Sequence, residues 1–133
     1  MKKVLSIKRL RKSFGYAFKG IDDVIKHEPN MKIHVVVAIL VVIMAFILKV
    51  SIIEWIILVL LIGAVLAAET INTTIENLVD MYTKEYDEKA KIVKDTAAGT
   101  VLILAITSTI IGLIIFIPKI IYLLESLWNI IES

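Results

Sequence analysis

The chain has 133 residues, one domain's worth, of which 59% are apolar and 21% charged. A formal charge of +2 is too small to mark a nucleic-acid binder, and no glycine-rich phosphate loop or dinucleotide fingerprint appears. The absence of cysteine excludes disulfides, thiolate chemistry and cysteine-based metal centres, and His27 and His34 alone cannot build a multi-histidine zinc site.

The charge is segregated around three long aliphatic runs, the pattern of an all-α integral membrane protein. Ahead of the runs, Val4, Ile7, Leu10, Phe14, Phe18, Ile21 and Ile25 recur every three or four residues. Lys8, Lys12, Lys19 and Lys26 occupy much of the opposite side. That spacing predicts an amphipathic helix over about residues 4–28, lying in the membrane surface plane. So long an amphipathic lead does not fit a secretory signal peptide. Gly15 and Gly20 offer close backbone approach, and Pro29 ends or bends the helix.

The first span is expected over about residues 31–52, its apolar run continuing past a snorkelling Lys49 into Ile52 and Ile53. Residues 51–54 make a tight connection, and Trp55 opens a second span over about 55–81. A third span, about 95–122, starts on the small residues Ala97, Ala98 and Gly99 and is closed by Pro118 and Lys119. His34, at the mouth of the first span, reads as an interfacial hydrogen-bonding residue before a metal ligand. Residues 123–133 form a short tail whose Trp128 suits an interface. The whole is expected to be a single domain, 1–133.

Basic residues predict topology. Nine of the fifteen lysines and arginines precede the first span and four lie between spans two and three. The other two connections hold Lys49 and Lys119 alone. The positive-inside rule therefore expects a cytoplasmic N-terminus, and three spans send the C-terminus outside.

The second span carries the chemistry. Its uncharged part, residues 55–68, covers only about 21 Å at ~1.5 Å per residue, short of the ~30 Å hydrocarbon core. The helix must run on into ETINTTIENLVD, residues 69–80, at membrane depth. With Glu69 at 0° and ~100° per residue, Asn72 falls near about 300°, Glu76 near about 340° and Asp80 near about 20°. Three carboxylates and an amide share one stripe, which lipid will not tolerate. The stripe must face protein, water, metal or substrate. It reaches the cytoplasmic side beside Glu28, Lys94 and Asp95, and clustered carboxylates there invite Mg²⁺, with Glu28 and Glu76 as its ligands. Lys94 suits phosphate oxygens, and the deeper Glu69 suits a base for a lipid hydroxyl attacking a γ-phosphate. A proton or ion path, or glue between subunits, are the competing readings of the stripe.

The chain resembles the small prokaryotic diacylglycerol kinase family, which includes undecaprenol kinases. The likeness rests on AETINTTIENLVD (residues 68–80), FGYAFKG (14–20), Glu28 and AKIVKDTAAGTVL (90–102), in order and spacing over roughly residues 5–118. It implies a Mg²⁺- and ATP-dependent membrane kinase, normally a homotrimer with active sites at subunit contacts, in the bacterial plasma membrane. By the same likeness Glu69 would be the catalytic base, Asn72 would support the site and Asp80 would anchor the network. Glu28 and Glu76 would hold the metal. Lys94 and Asp95 would meet the nucleotide, with Arg9, Tyr16, Glu85 and Asp87 around it. Phe18, HEPNMKIH (27–34) and SIIEW (51–55) look like the Gram-positive branch, similar to undecaprenol kinases. The expected acceptor is therefore undecaprenol, with diacylglycerol as the alternative.

Overall fold

A computed structural model describes residues 6–132; the expected helical positions before Ser6, Val4 among them, lie outside the described residues. The chain is all helical: α1 (Ile7–His27), α2 (Pro29–Ile47), α3 (Ile52–Tyr82) and α4 (Glu88–Glu132). The last three are long and apolar enough to cross a membrane, and α1 is not among them. The protein is thus a multi-pass membrane protein with one shorter N-terminal helix.

No residue of α1 is fully buried. Lys26 and His27 sit in its last turn, where positive charge complements the helix dipole. Lys26 donates to Asp22 at 2.6 Å, and that bond holds the ammonium above the usual lysine range. Glu28 is extended, as the residue before a proline must be, and its N–H still donates to the Val24 carbonyl. Pro29 then occupies the first turn of α2, where its missing N–H costs nothing. The open space around Gly15 and Gly20 means that neither serves a close approach within one chain.

Two expected boundaries are corrected. The first concerns α2, which does not run on to residue 52 but stops at Ile47. Lys49 takes a left-handed conformation (φ 50°), the Lys49 N–H donates to the Phe46 carbonyl and the Val50 N–H to the Ala45 carbonyl. This is a Schellman closure, with Val50 packed into the same core as Ala45. The turn feeds a capping box, in which Ser51 N–H donates to Glu54 Oε2 at 2.6 Å and Glu54 N–H to Ser51 Oγ. The second concerns Pro118, which lies inside α4 rather than closing it. Beside Lys119 at the rim, the proline forfeits a single backbone bond and the helix continues past it.

The turn end of the bundle holds the apolar core: Ala45, Val50, Leu58, Ile115 and Phe116, flanked by Met44, Trp55 and Ile120. Phe46 meets Trp55 edge-to-face at 4.8 Å, and Lys119 pairs with Glu54 at 3.0 Å across α4 and α3. α3 and α4 share the most extensive packing, which uses Ala68, Ala97 and Val101. Ala98 is exposed and a Cβ on Gly99 would meet open space, so of the three small residues starting the third span only Ala97 is used inside the chain.

Candidate active site

At the other end of the bundle the buried groups are polar. α3 carries its helix through residues 69–80 without exposing hydroxyls to lipid: Thr70 donates back to the Leu66 carbonyl and Thr74 to the Thr70 carbonyl, each at 2.8 Å. Glu69 is only 2% exposed, Asn72 5% and Thr73 3%. Glu76 is half-buried and accepts from Asn72 Nδ2 at 3.0 Å. The carboxylate stripe therefore faces protein. Because Glu76 accepts, Asn72 must turn its N–H group toward it, and Asn72 Oδ1 is left buried without a partner, as is Thr73 Oγ1.

Glu69 looks toward α2. His34 Nε2 stands 4.0 Å from Glu69 Oε2. Glu28, at the junction of α1 and α2, and Glu76 lie close enough for their charges to act on Glu69. His34 is the neighbour that the sequence left as an interfacial residue. It falls on the helical face of α2 that also carries Met31, Val35, Ala38 and Ala45, the face with the least exposure. An apolar helix this uniform gives no sign of which face meets its neighbour.

Further along α3, Asp80 is exposed and forms an ion pair with Lys94, tying the end of α3 to the start of α4. Asp95 pairs with Lys91 at 2.6 Å on the exposed side of α4. Glu85 N–H donates to Thr83 Oγ1 in the connecting turn, and Asp87 Oδ1 accepts from Ala90 N–H at 2.8 Å as the cap of α4. Arg9 and Tyr16 are exposed on α1. Along the helix they stand about 28 Å and about 18 Å from Glu28 at ~1.5 Å per residue. One chain thus gathers Glu28, Glu69, Asn72 and Glu76 with His34, and adds Asp80 with Lys94 at the rim. It does not bring Arg9, Tyr16, Glu85 or Asp87 to that cluster.

The donor set fits a hard cation. Among the described residues Glu28, Glu69 and Glu76 have no lysine or arginine partner, and the buried Asn72 oxygen beside them is unpaired. No group of three or more ligating side chains is preassembled among the described residues. Mg²⁺ takes one or two carboxylates and completes its shell with phosphates and water.

A bundle of three membrane-spanning helices with buried Glu69 and Asn72 near a charged rim defines an integral membrane protein with polar groups gathered at one end. The chain belongs to the prokaryotic diacylglycerol kinase family, which it matches over residues 15–116. It is 44% identical to the undecaprenol kinase of Bacillus subtilis over 113 residues, 85% of this chain and 92% of that one. It is 34% identical to a diacylglycerol kinase of Synechocystis over 113 residues, 84% of this chain and 65% of the relative.

Proposed function

We propose that the protein is an undecaprenol kinase, transferring the γ-phosphoryl group of ATP to the hydroxyl of undecaprenol to give undecaprenyl phosphate and ADP. The likeness to the Bacillus enzyme along nearly its whole length supports the acceptor. The observation that carries the chemistry is Glu69, buried at membrane depth and aligned with Asn72 and Glu76. Its carboxylate takes the hydroxyl proton as the lipid oxygen attacks the γ-phosphorus. A bond forms to that oxygen, the bond to the β-phosphate bridge oxygen breaks, and ADP carries away the electron pair. Asn72 holds Glu76 in place, and His34 orients Glu69. Glu28 and Glu76 are the residues that would hold Mg²⁺, which when bound offsets the negative charge of the phosphates. Asp80 sets Lys94 for the nucleotide, with Asp95, Glu85 and Asp87 nearby on the same rim.

Arg9 and Tyr16 lie too far along α1 to serve their own chain's cluster, which supports a composite site in a homotrimer. Buried polar groups in membrane helices also favour such association. The count of basic residues supports a cytoplasmic N-terminus and site, with the C-terminus outside. A diacylglycerol kinase is the second reading, favoured by the Synechocystis relative. Purified protein in micelles, given Mg·ATP and each lipid separately, tests both. Undecaprenol should show the higher kcat/KM. Equal or higher kcat/KM on diacylglycerol moves the assignment there, and transfer to neither lipid returns the stripe to an ion path.

A further inference from the structure

The last thirteen residues of α4, 120–132, are the part of the fold that the kinase reading does not use. They lie beyond residues 15–116, over which the family is matched. From Asp95 to Lys119, α4 already covers about 36 Å, more than the ~30 Å hydrocarbon core. The ion pair of Lys119 with Glu54 marks the rim opposite the site, and core packing ends one residue later at Ile120. Every residue from Ile121 to Glu132 is exposed. A straight α4 would carry this tail about 20 Å out of the bundle at ~1.5 Å per residue.

The tail is not built for water. With Lys119 at 0°, Ile130, Leu123, Leu127, Ile120, Ile131, Leu124, Trp128 and Ile121 fall between about 20° and about 200°. Glu132, Glu125, Asn129, Tyr122 and Ser126 fill the remaining arc, from about 220° to about 340°. An apolar arc of about 180° is far wider than the two-in-seven seam of a coiled coil, so a bundle of tails would leave much of it wet. It fits a helix half-sunk in the headgroup boundary, where Trp128 also belongs. Pro118 sits where the tail must turn, because its ring removes the N–H that would bond the Ile114 carbonyl and crowds that carbonyl.

We propose that residues 120–132 form a membrane-surface helix, turning at Pro118 to lay the face of Leu123, Leu124, Leu127 and Trp128 on the leaflet opposite the Glu69 site. Its polar arc carries Glu125 and Glu132 and no basic residue, so apolar burial and not attraction to anionic lipid holds it. The partner is the phospholipid boundary itself.

The test uses the full chain in phosphatidylcholine vesicles whose lipids are brominated either near the carbonyl or at the chain end. Subtracting the emission of Trp128→Phe from that of the unaltered chain isolates Trp128 and leaves Trp55 undisturbed. Shallow bromines should remove most of the Trp128 signal, deep bromines little, and adding phosphatidylglycerol should change nothing. The pair Leu124→Glu with Leu127→Glu should shift the Trp128 emission to the red and expose it to aqueous iodide. Iodide quenching in the unaltered chain would overturn the proposal, as would a blue-shifted Trp128 that neither bromine nor iodide reaches, the sign of tails packed on each other. Quenching chiefly by deep bromines would overturn it too, since the tail would then be embedded.

Discussion

Glu69 is buried on α3, and His34 of α2 brings its Nε2 to 4.0 Å from the carboxylate. Gln in its place keeps shape and hydrogen bonding and removes only the ability to take a proton. Glu69→Gln should therefore lower kcat by about 10²–10⁴-fold, the range of general base catalysis, with Mg·ATP affinity little changed. Single-turnover phosphoryl transfer, measured beside nucleotide binding to the same preparation, separates the two. If affinity collapses while saturated transfer survives, Glu69 serves the nucleotide and not the acceptor. The face shared by Glu69, Asn72 and Glu76 was legible because a 3.6-residue period needs no partner to be read. The approach of His34 to Glu69 was not, since it depends on how α2 is rotated against α3, and a run such as VVVAILVV is apolar on every side.

At the scale of helices, the turn between α2 and α3 shows where local sequence misleads. Val35 through Ile53 is interrupted by Lys49 and Ser51 alone, so hydropathy runs straight through the turn. Hydrogen bonding stops α2 at Ile47, with Lys49 in a left-handed conformation that costs an L-residue roughly 1–2 kcal/mol. The capping box, SIIE, was present in the sequence and is the signal that a strict reading of helix starts would have used. Pro118 misleads in the opposite sense, because a proline within a helix forfeits one backbone bond and crowds one carbonyl without having to end it. Replacing Lys49 with glycine removes the Cβ clash while keeping the closure bonds. Lys49→Gly should then raise stability by about 0.5–1 kcal/mol, the left-handed penalty less glycine's extra unfolded-state freedom. Thermal unfolding in a fixed detergent reads this out, and a lower midpoint would mean that the Lys49 side chain itself anchors the turn.

For the molecule as a whole, two ends with different physics are joined by three helices. The turn end is closed by a tightly packed apolar core and the ion pair of Lys119 with Glu54; the site end holds acids, an unpaired amide oxygen and a charged rim. α1 leaves that rim after Val24 with no buried side chain, taking Arg9 away from the cluster it is proposed to serve. If Arg9 acts on the Glu69 of another copy, two crippled chains should repair each other. Arg9→Ala supplies an intact Glu69 and Glu69→Gln supplies an intact Arg9. Each variant alone should be nearly inactive. Coexpressed in equal amounts and randomly assembled in a closed ring, they should regain roughly a quarter of the unaltered activity, because each contact needs one particular chain on each side. A chain that completes its own site offers no such pairing, and every mixed assembly would stay as inactive as its parts. Coexpressed protein that can be purified as a mixed oligomer yet shows no gain would therefore place Arg9 in the service of its own chain, and α1 would have to fold back across the rim during turnover.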